Sequence, residues 1–492
     1  MRSLLLFLGV VSLAPTIRAN VRPHPLFGDD MLLQRDRPLP VWGKAAPLEE
    51  VTVTLVVRPA LGKMQSFQRT TKADDNGHWR VEFAPKAAAP DGELLIQGRN
   101  RIRIENVAIG DVWLCAGQSN MEMRVRQLRR DGQRERVAPT ANHANLRLFV
   151  VPNLPRRVPQ RSLKPSLREG FWSTCTPQSV LWFSAAGYFF GRDLLQRDED
   201  VPIGLISADC GGSPCEAWMS RAALAEAGMQ HYLDLIAAWG AGRPKVPFEG
   251  PFHQMPTALF NGMIAPILPF PIRGVVWYQG EGNADRAKEH RRLLPALISD
   301  WRELWKDELP FMVVQVAPYA GDDADGVSGA ELRDAQFHAS TMLPKVGLVV
   351  TTDLGEESDV HPERKEPVGV RLALAARAIA YGDDVEYSGP VFDELVMEGD
   401  RALLSFDHVG SGLMCRGQQL TGFRVCGQDR TFYPARAEIR GEQVIVTCGA
   451  VPEPVAVRFG WTNFPRPELN FYNGAGLPAV PFRTDDFPLT TD

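Results

Sequence analysis

At 492 residues the chain exceeds what one hydrophobic core organises, so two or three domains are expected. Hydrophobic residues make up 44% and charged residues 23%, a globular balance that excludes disordered and fibrous classes. The net charge is −5, and the lysines and arginines are scattered among acids apart from the short run Arg124 to Arg136, so no nucleic-acid partner is expected.

The chain opens with Arg2, an apolar run from Leu4 to Leu13 and small residues leading to Ala19. That layout predicts a signal peptide over 1–19 and a mature protein that is secreted or periplasmic. The run is too short for a bilayer, and no other stretch reaches the ~18 consecutive apolar residues of a spanning helix. From Val21 to Asn106, alternating runs such as Val51 to Val56 and His78 to Phe83 are separated by turns such as Asp75-Asn76-Gly77. This predicts an N-terminal β-sandwich domain over 20–106. Apolar runs at Asp111 to Ala116, Gly204 to Ser207, Gly274 to Tyr278, Phe311 to Val316 and Val346 to Val350 then alternate with helical stretches such as Arg291 to Trp305 and Val368 to Tyr381. Such runs predict an α/β domain over 107–385 whose mainly parallel sheet is covered on both faces. Alternation returns at Ala402 to Phe406 and Glu442 to Thr447, giving a C-terminal β-rich region over 386–492.

Seven cysteines are few and odd in number, so they define no disulfide scaffold; Cys415 with Cys426 is one pairing that export permits. Cys210 and Cys215 have no second Cys or His pair near them, and no zinc site is expected.

Ligands of open α/β sheets gather at the carboxyl ends of strands, which directs attention to four loops. Gly117-Gln118-Ser119-Asn120 places a serine at a strand-to-helix junction. Asp209-Cys210-Gly211-Gly212 offers bare backbone amides. Trp277-Tyr278-Gln279-Gly280-Glu281-Gly282-Asn283 is rich in polar groups, and Asp359-Val360-His361-Pro362 pairs a histidine with a nearby acid. Taken singly, Ser119 reads as a helix cap, His361 as a structural histidine and the glycine pair as a turn. Together they offer a nucleophile, a base, an acid and anion donors after strands of one sheet.

The run Gly110 to Met121, with Trp277 to Glu281 and Asp359 to Pro362, resembles the sialate O-acetylesterase family, a branch of the SGNH/GDSL hydrolases; Phe260 to Pro266, Leu332 to Gln336 and Gly476 to Ala479 agree. The resemblance implies an SGNH-type doubly wound sheet with helices on both faces, flanked by N-terminal and C-terminal β-sandwich-like regions. It implies a serine esterase with Ser119 as nucleophile, His361 as general base and Asp359 as its acid partner, although many SGNH enzymes place that acid three residues before the histidine, where Ser358 stands here. The oxyanion donors would be the amides of Ser119 and Gly212 and the side chain of Gln279, with Asn283 a second candidate. Should Asp359 point away, a backbone carbonyl or Glu281 is the substitute support for His361. No metal or organic cofactor is implied, and the partner is an O-acetylated sugar or glycan, either a sialic acid or a plant polysaccharide such as acetyl xylan. Arg333 is read either as a ligand of a sialic carboxylate or as half of a structural salt bridge. Trp113, Trp218, Trp277 and Tyr278 are read either as a sugar-facing surface or as packing. A non-catalytic carbohydrate-binding protein is the alternative from another class.

Overall fold

The computed structural model of the chain describes residues 20–240 and 250–491; the signal peptide expected over 1–19 lies outside the described residues. Eight strands form the N-terminal region: β1 (Arg22–Pro23), β2 (Leu32–Gln34), β3 (Leu39–Lys44), β4 (Glu50–Arg58), β5 (Gln65–Lys72), β6 (His78–Phe83), β7 (Asp91–Gln97) and β8 (Arg101–Ile104). Seven of them build two antiparallel sheets, β1-β3-β6 and β5-β4-β7-β8. In β4 every second residue is buried (Val51, Val53, Leu55, Val57), so one face packs inward with Val41, Trp79, Val81 and Phe83 of the other sheet.

β2 leaves this pair of sheets and runs parallel to the start of β9 (Ala108–Gly117), the central strand of the molecule. Around it lie β10 (His143–Val150), β11 (Trp172–Cys175), β12 (Ile203–Asp209), β13 (Gly274–Tyr278), β14 (Phe311–Val314) and β15 (Val346–Val349), in the order β11-β10-β12-β9-β13-β14-β15. Only β11 is antiparallel to its neighbour. All of β9 is buried because both faces are covered. Val112, Leu114 and Ala116 join one core with Trp277, Val313, Leu293 and Leu297. Trp113 and Cys115 join the opposite core with Tyr278, Phe189, Phe190 and Leu372. Each such aliphatic side chain contributes about 1.5–3 kcal/mol on burial.

The helix expected from Arg291 begins earlier, at Ala287, and runs to Trp305, burying Leu293, Leu294, Leu297, Ile298 and Trp301 along one stripe. The second expected helix spans Lys365–Ala376 and continues as a wider turn over Arg377–Tyr381; its Pro367 lies in the first turn, where the missing amide costs nothing. Beyond Val391 the chain is antiparallel, with four strands at Val391–Glu398, Arg401–Asp407, Gln443–Thr447 and Arg436–Arg440, and further short strands around a separate core. All seven cysteines, Cys415 and Cys426 included, are free thiols. No helix among the described residues is long and apolar enough to cross a membrane.

Candidate active site

β9 is flanked by β12 on one side and β13 on the other, which is where the order of connections reverses and where α/β sheets open a crevice. Gly117 stands opposite both Asp209 and Tyr278, so three loops leave the sheet at one level. Gly117 has φ +148°, and a Cβ there would lie 2.1 Å from the Tyr278 carbonyl oxygen; only glycine passes this point. The chain then turns through Gln118 into the single helical turn Ser119–Glu122. Gln118 is buried, and its Oε1 accepts the amides of Gly280 (3.2 Å) and Gly282 (3.0 Å), tying the first loop to the third.

The loop after β15 brings His361 to this turn, its Nε2 2.9 Å from Ser119 Oγ. Asp359 Oδ1 accepts the His361 backbone amide at 2.8 Å and lies 3.5 Å from the imidazole Nδ1. The Asp359 side chain is 53% exposed, so its charge is screened in a way that a buried partner's would not be.

The amide groups of Ser119 and Gly212 bond to no acceptor among the described residues. Gly212 has φ +68°, a left-handed conformation that glycine adopts without strain. Glu122 holds that loop in place: its Oε2 accepts the Gly211 amide at 2.6 Å, and burial together with nearby Asp209 raises the pKa of its carboxyl. Asp209 in turn receives both Nη atoms of Arg124, at 2.9 and 3.2 Å.

Gln279, the expected third donor, is turned to other partners in the loop. Its Nε2 donates to Ser213 O (3.2 Å) and Asn283 Oδ1 (2.8 Å), so both amide hydrogens are engaged, and reversing the amide would set oxygen against oxygen. Asn283 is engaged as well: Oδ1 accepts the Cys215 amide at 2.8 Å and Nδ2 donates to Glu216 at 3.0 Å. Both residues are fully buried and fix the loop walls.

Behind the serine lies a charged network of which Glu281 alone was a candidate from sequence. Lys365 is fully buried and donates to Asn120 Oδ1 at 2.5 Å. The Asn120 amide donates to Glu281 Oε1 (2.6 Å) and to the carbonyl of Val360 (3.0 Å), the residue before His361. Burial pulls the Lys365 ammonium down to about 7 against the opposing pull of Glu281, and burial raises the pKa of Glu281. One asparagine thus joins the serine turn, the Glu281 loop and the histidine loop. Glu281 makes no hydrogen bond to His361 among the described residues; it is tied to the histidine loop through Asn120 and acts on the imidazole by its charge.

Arg333, expected at a sialic carboxylate or in a salt bridge, lies in the interior. It is 1% exposed and donates to the Thr462 carbonyl; its Nε and Nη1 have no partner, and burial lowers its pKa to about 10. No carboxylate pairs with it among the described residues. Trp113, Trp218, Trp277 and Tyr278 are all fully buried and are packing; Trp218, Trp277 and Trp301 meet edge to face in series. Among the described residues no group of His, Cys, Asp or Glu is placed to hold a metal ion.

A family model described as carbohydrate esterase, sialic acid-specific acetylesterase, matches residues 109–379. Curated sialate O-acetylesterases are similar over most of the chain: the mouse protein is 28% identical, with 90% of each chain covered, and the human protein 28%, covering 92% of this chain and 90% of its own. Among solved structures, a carbohydrate acetylesterase from Xanthomonas citri has 38% identity and a TM-score of 0.84, covering 95% of this chain and all of that one. The fold and these relatives define a carboxylic ester hydrolase. More particularly, the chain belongs to the sialic acid-specific acetylesterase family of carbohydrate esterases.

Proposed function

We propose that this esterase removes O-acetyl groups from a sugar through an acetyl-enzyme formed on Ser119. The observation that carries the reading is the 2.9 Å contact between Ser119 Oγ and His361 Nε2. Ser119 Oγ attacks the acetyl carbonyl while His361 takes its proton. The oxygen that becomes negative is received by the free amides of Ser119 and Gly212, each good donor being worth about 3–4 kcal/mol in the transition state. His361 then returns the proton to the departing sugar oxygen, and water repeats the sequence to release acetate. Asp359 is the acid that orients and stabilises the imidazolium. The names of the curated relatives support sialic acid as the sugar; the name carbohydrate acetylesterase borne by the Xanthomonas citri structure specifies no sugar, and acetylated xylan is the second reading.

Acetate release from 9-O-acetyl sialic acid and from acetylated xylo-oligosaccharides, measured side by side, tests both parts. Wild-type protein is expected to turn over at least one, and Ser119→Ala to lose at least 10³-fold of that rate. Wild-type protein inert toward both sugars and toward 4-nitrophenyl acetate would sink the reading.

A further inference from the structure

The outer face of the sheet β1-β3-β6 carries a row of basic side chains. Arg22 of β1 stands directly opposite Lys44 of β3, and Lys44 directly opposite His78 of β6, so the three leave one face side by side. Val41, Trp79 and Val81 of the same strands point the other way, into the core. Like charges directly opposite one another weaken a sheet. The second N-terminal sheet keeps to that rule, with Glu50 opposite Lys72 and Arg58 opposite Asp91 at 3.1 Å. On the outer face itself Arg80 is matched by Glu82 at 2.9 Å. Arg22 and Lys44 are exposed and pair with no carboxylate among the described residues, so the stability of the sheet gives no reason for the row.

The row lines a cavity of about 540 Å³ that takes a third cation from a distant part of the chain. Arg161 enters from the loop after β10, between two fastened neighbours: the Gln160 amide donates to the Asn261 carbonyl at 2.8 Å, and the amide of buried Leu163 to His24 Nε2 at 3.4 Å. It too pairs with no carboxylate among the described residues. Trp42, two residues before Lys44 on the same face, also lines the cavity, and its indole N–H bonds to no acceptor among the described residues. None of the described residues lining the cavity is an acid. Asp74 stands outside it, its Oδ1 taken by the backbone amides of Asn76 and His78 and 3.6 Å from His78 Nδ1. Three cations and two neutral N–H donors thus surround one hollow without a counter-charge, a field that favours an anion.

The arrangement also selects the kind of anion. A carboxylate is planar with one charge, and a single arginine fork matches it. Here the donors come from β1, β3, β6 and the loop after β10, and a tetrahedral group of charge about −1.5 to −2 offers oxygens in several directions to such a set. We propose that the hollow is a binding site for a phosphate or sulfate group, held by Arg22, Lys44 and Arg161 with Trp42 and His78 as further donors. The group has two sources, the free inorganic ion or an ester carried by a larger molecule. None of the lining residues belongs to the loops that carry Ser119, Gly212, Gln279 or His361, so the site is separate from the deacetylase reading and stands or falls without it.

The test is calorimetric titration of the wild-type protein at pH 7.5 and low ionic strength with inorganic phosphate, inorganic sulfate, glucose 1-phosphate and acetate. At least one of the first three is expected to bind at least tenfold more tightly than acetate and to weaken as sodium chloride is added. K44Q/R161Q is expected to lose at least tenfold of that affinity while turnover of 4-nitrophenyl acetate stays at the wild-type level. R22Q alone is the second variant, expected to lose about threefold. Tighter binding of glucose 1-phosphate than of inorganic phosphate identifies an ester as the source, and the reverse order identifies the free ion. No saturable binding, acetate binding as tightly as the tetrahedral anions, or unchanged affinity in folded K44Q/R161Q overturns the site. Should the double variant fail to fold, unchanged affinity in R22Q overturns it.

Discussion

One oxygen of Asp359 both accepts the His361 amide and faces its imidazole, and the two functions are separable by substitution. Asp359→Asn keeps an oxygen for the backbone bond and removes the charge; Asp359→Ala removes both. Because the carboxylate is more than half exposed and 3.5 Å from Nδ1, the charge is worth less than that of a buried triad aspartate, whose loss costs about 10⁴ in kcat. The expected order is a loss in kcat of about tenfold for Asp359→Asn and about a hundredfold for Asp359→Ala, read from steady-state acetate release. A loss near 10⁴ for Asp359→Asn would mean that substrate closes the gap to a full hydrogen bond. Residue type alone did not reveal the state of Gln279: in sequence it is an amide near the site, and only its fold-brought neighbours Ser213 and Asn283 show that its protons are already committed.

The strands were legible because they repeat a pattern within a few residues: the alternation of β4 and β6 and the unbroken apolar run of β9 carry their own period. The four loops were legible for the same local reason, since each follows such a run. The tie between them was not. Asn120 and Lys365 are 245 residues apart, and a lysine at the start of an amphipathic helix reads as solvated until its burial is seen. Substituting Lys365 tests the tie as a unit. Lys365→Met leaves the Asn120 Oδ1 without its donor and removes the ammonium beside the buried Glu281, so a loss of about 3 kcal/mol in unfolding free energy is expected at pH 6, where a lysine held at about 7 carries its charge. Denaturant titration measures it. Lys365→Met combined with Glu281→Gln is expected to recover part of that stability, because no lone charge remains buried; full additivity of the two losses would show that they are not coupled. Because the Val360 carbonyl is held by the same asparagine, kcat is expected to fall in Lys365→Met while KM stays within about twofold.

At the scale of the whole molecule, the end regions are fastened to the central sheet by buried polar groups. Arg35 grips Asp111 of β9 through Nε and Nη2 at 3.0 and 2.9 Å, and Glu331 receives the amides and hydroxyls of Thr490 and Thr491. Two histidines make this assembly sensitive to acid. His24, where the N-terminal region meets Leu163 and Pro266, is held at about 4 by burial, against the raising effect of its Pro266 contact; His290 in helix Ala287–Trp305 is held at about 3 by burial and by Arg286. Both are neutral in the folded protein at pH 5, whereas in the unfolded chain a histidine takes up its proton near pH 6.5. The unfolded state therefore binds more protons below pH 6.5, so stability is complete above that value and falls as pH drops toward 3. For His290 two pH units of this window correspond to about 2.7 kcal/mol. His290→Leu removes the titration together with two ring nitrogens that have no partner among the described residues. Its stability at pH 7.5 is expected to stay within about 1 kcal/mol of wild type, since an unsatisfied polar group is exchanged for an apolar one. At pH 4.5 the variant is expected to be the more stable protein by about 2 kcal/mol. Urea unfolding followed at both pH values measures the crossing, and parallel losses in the two proteins would remove His290 from the account of acid unfolding.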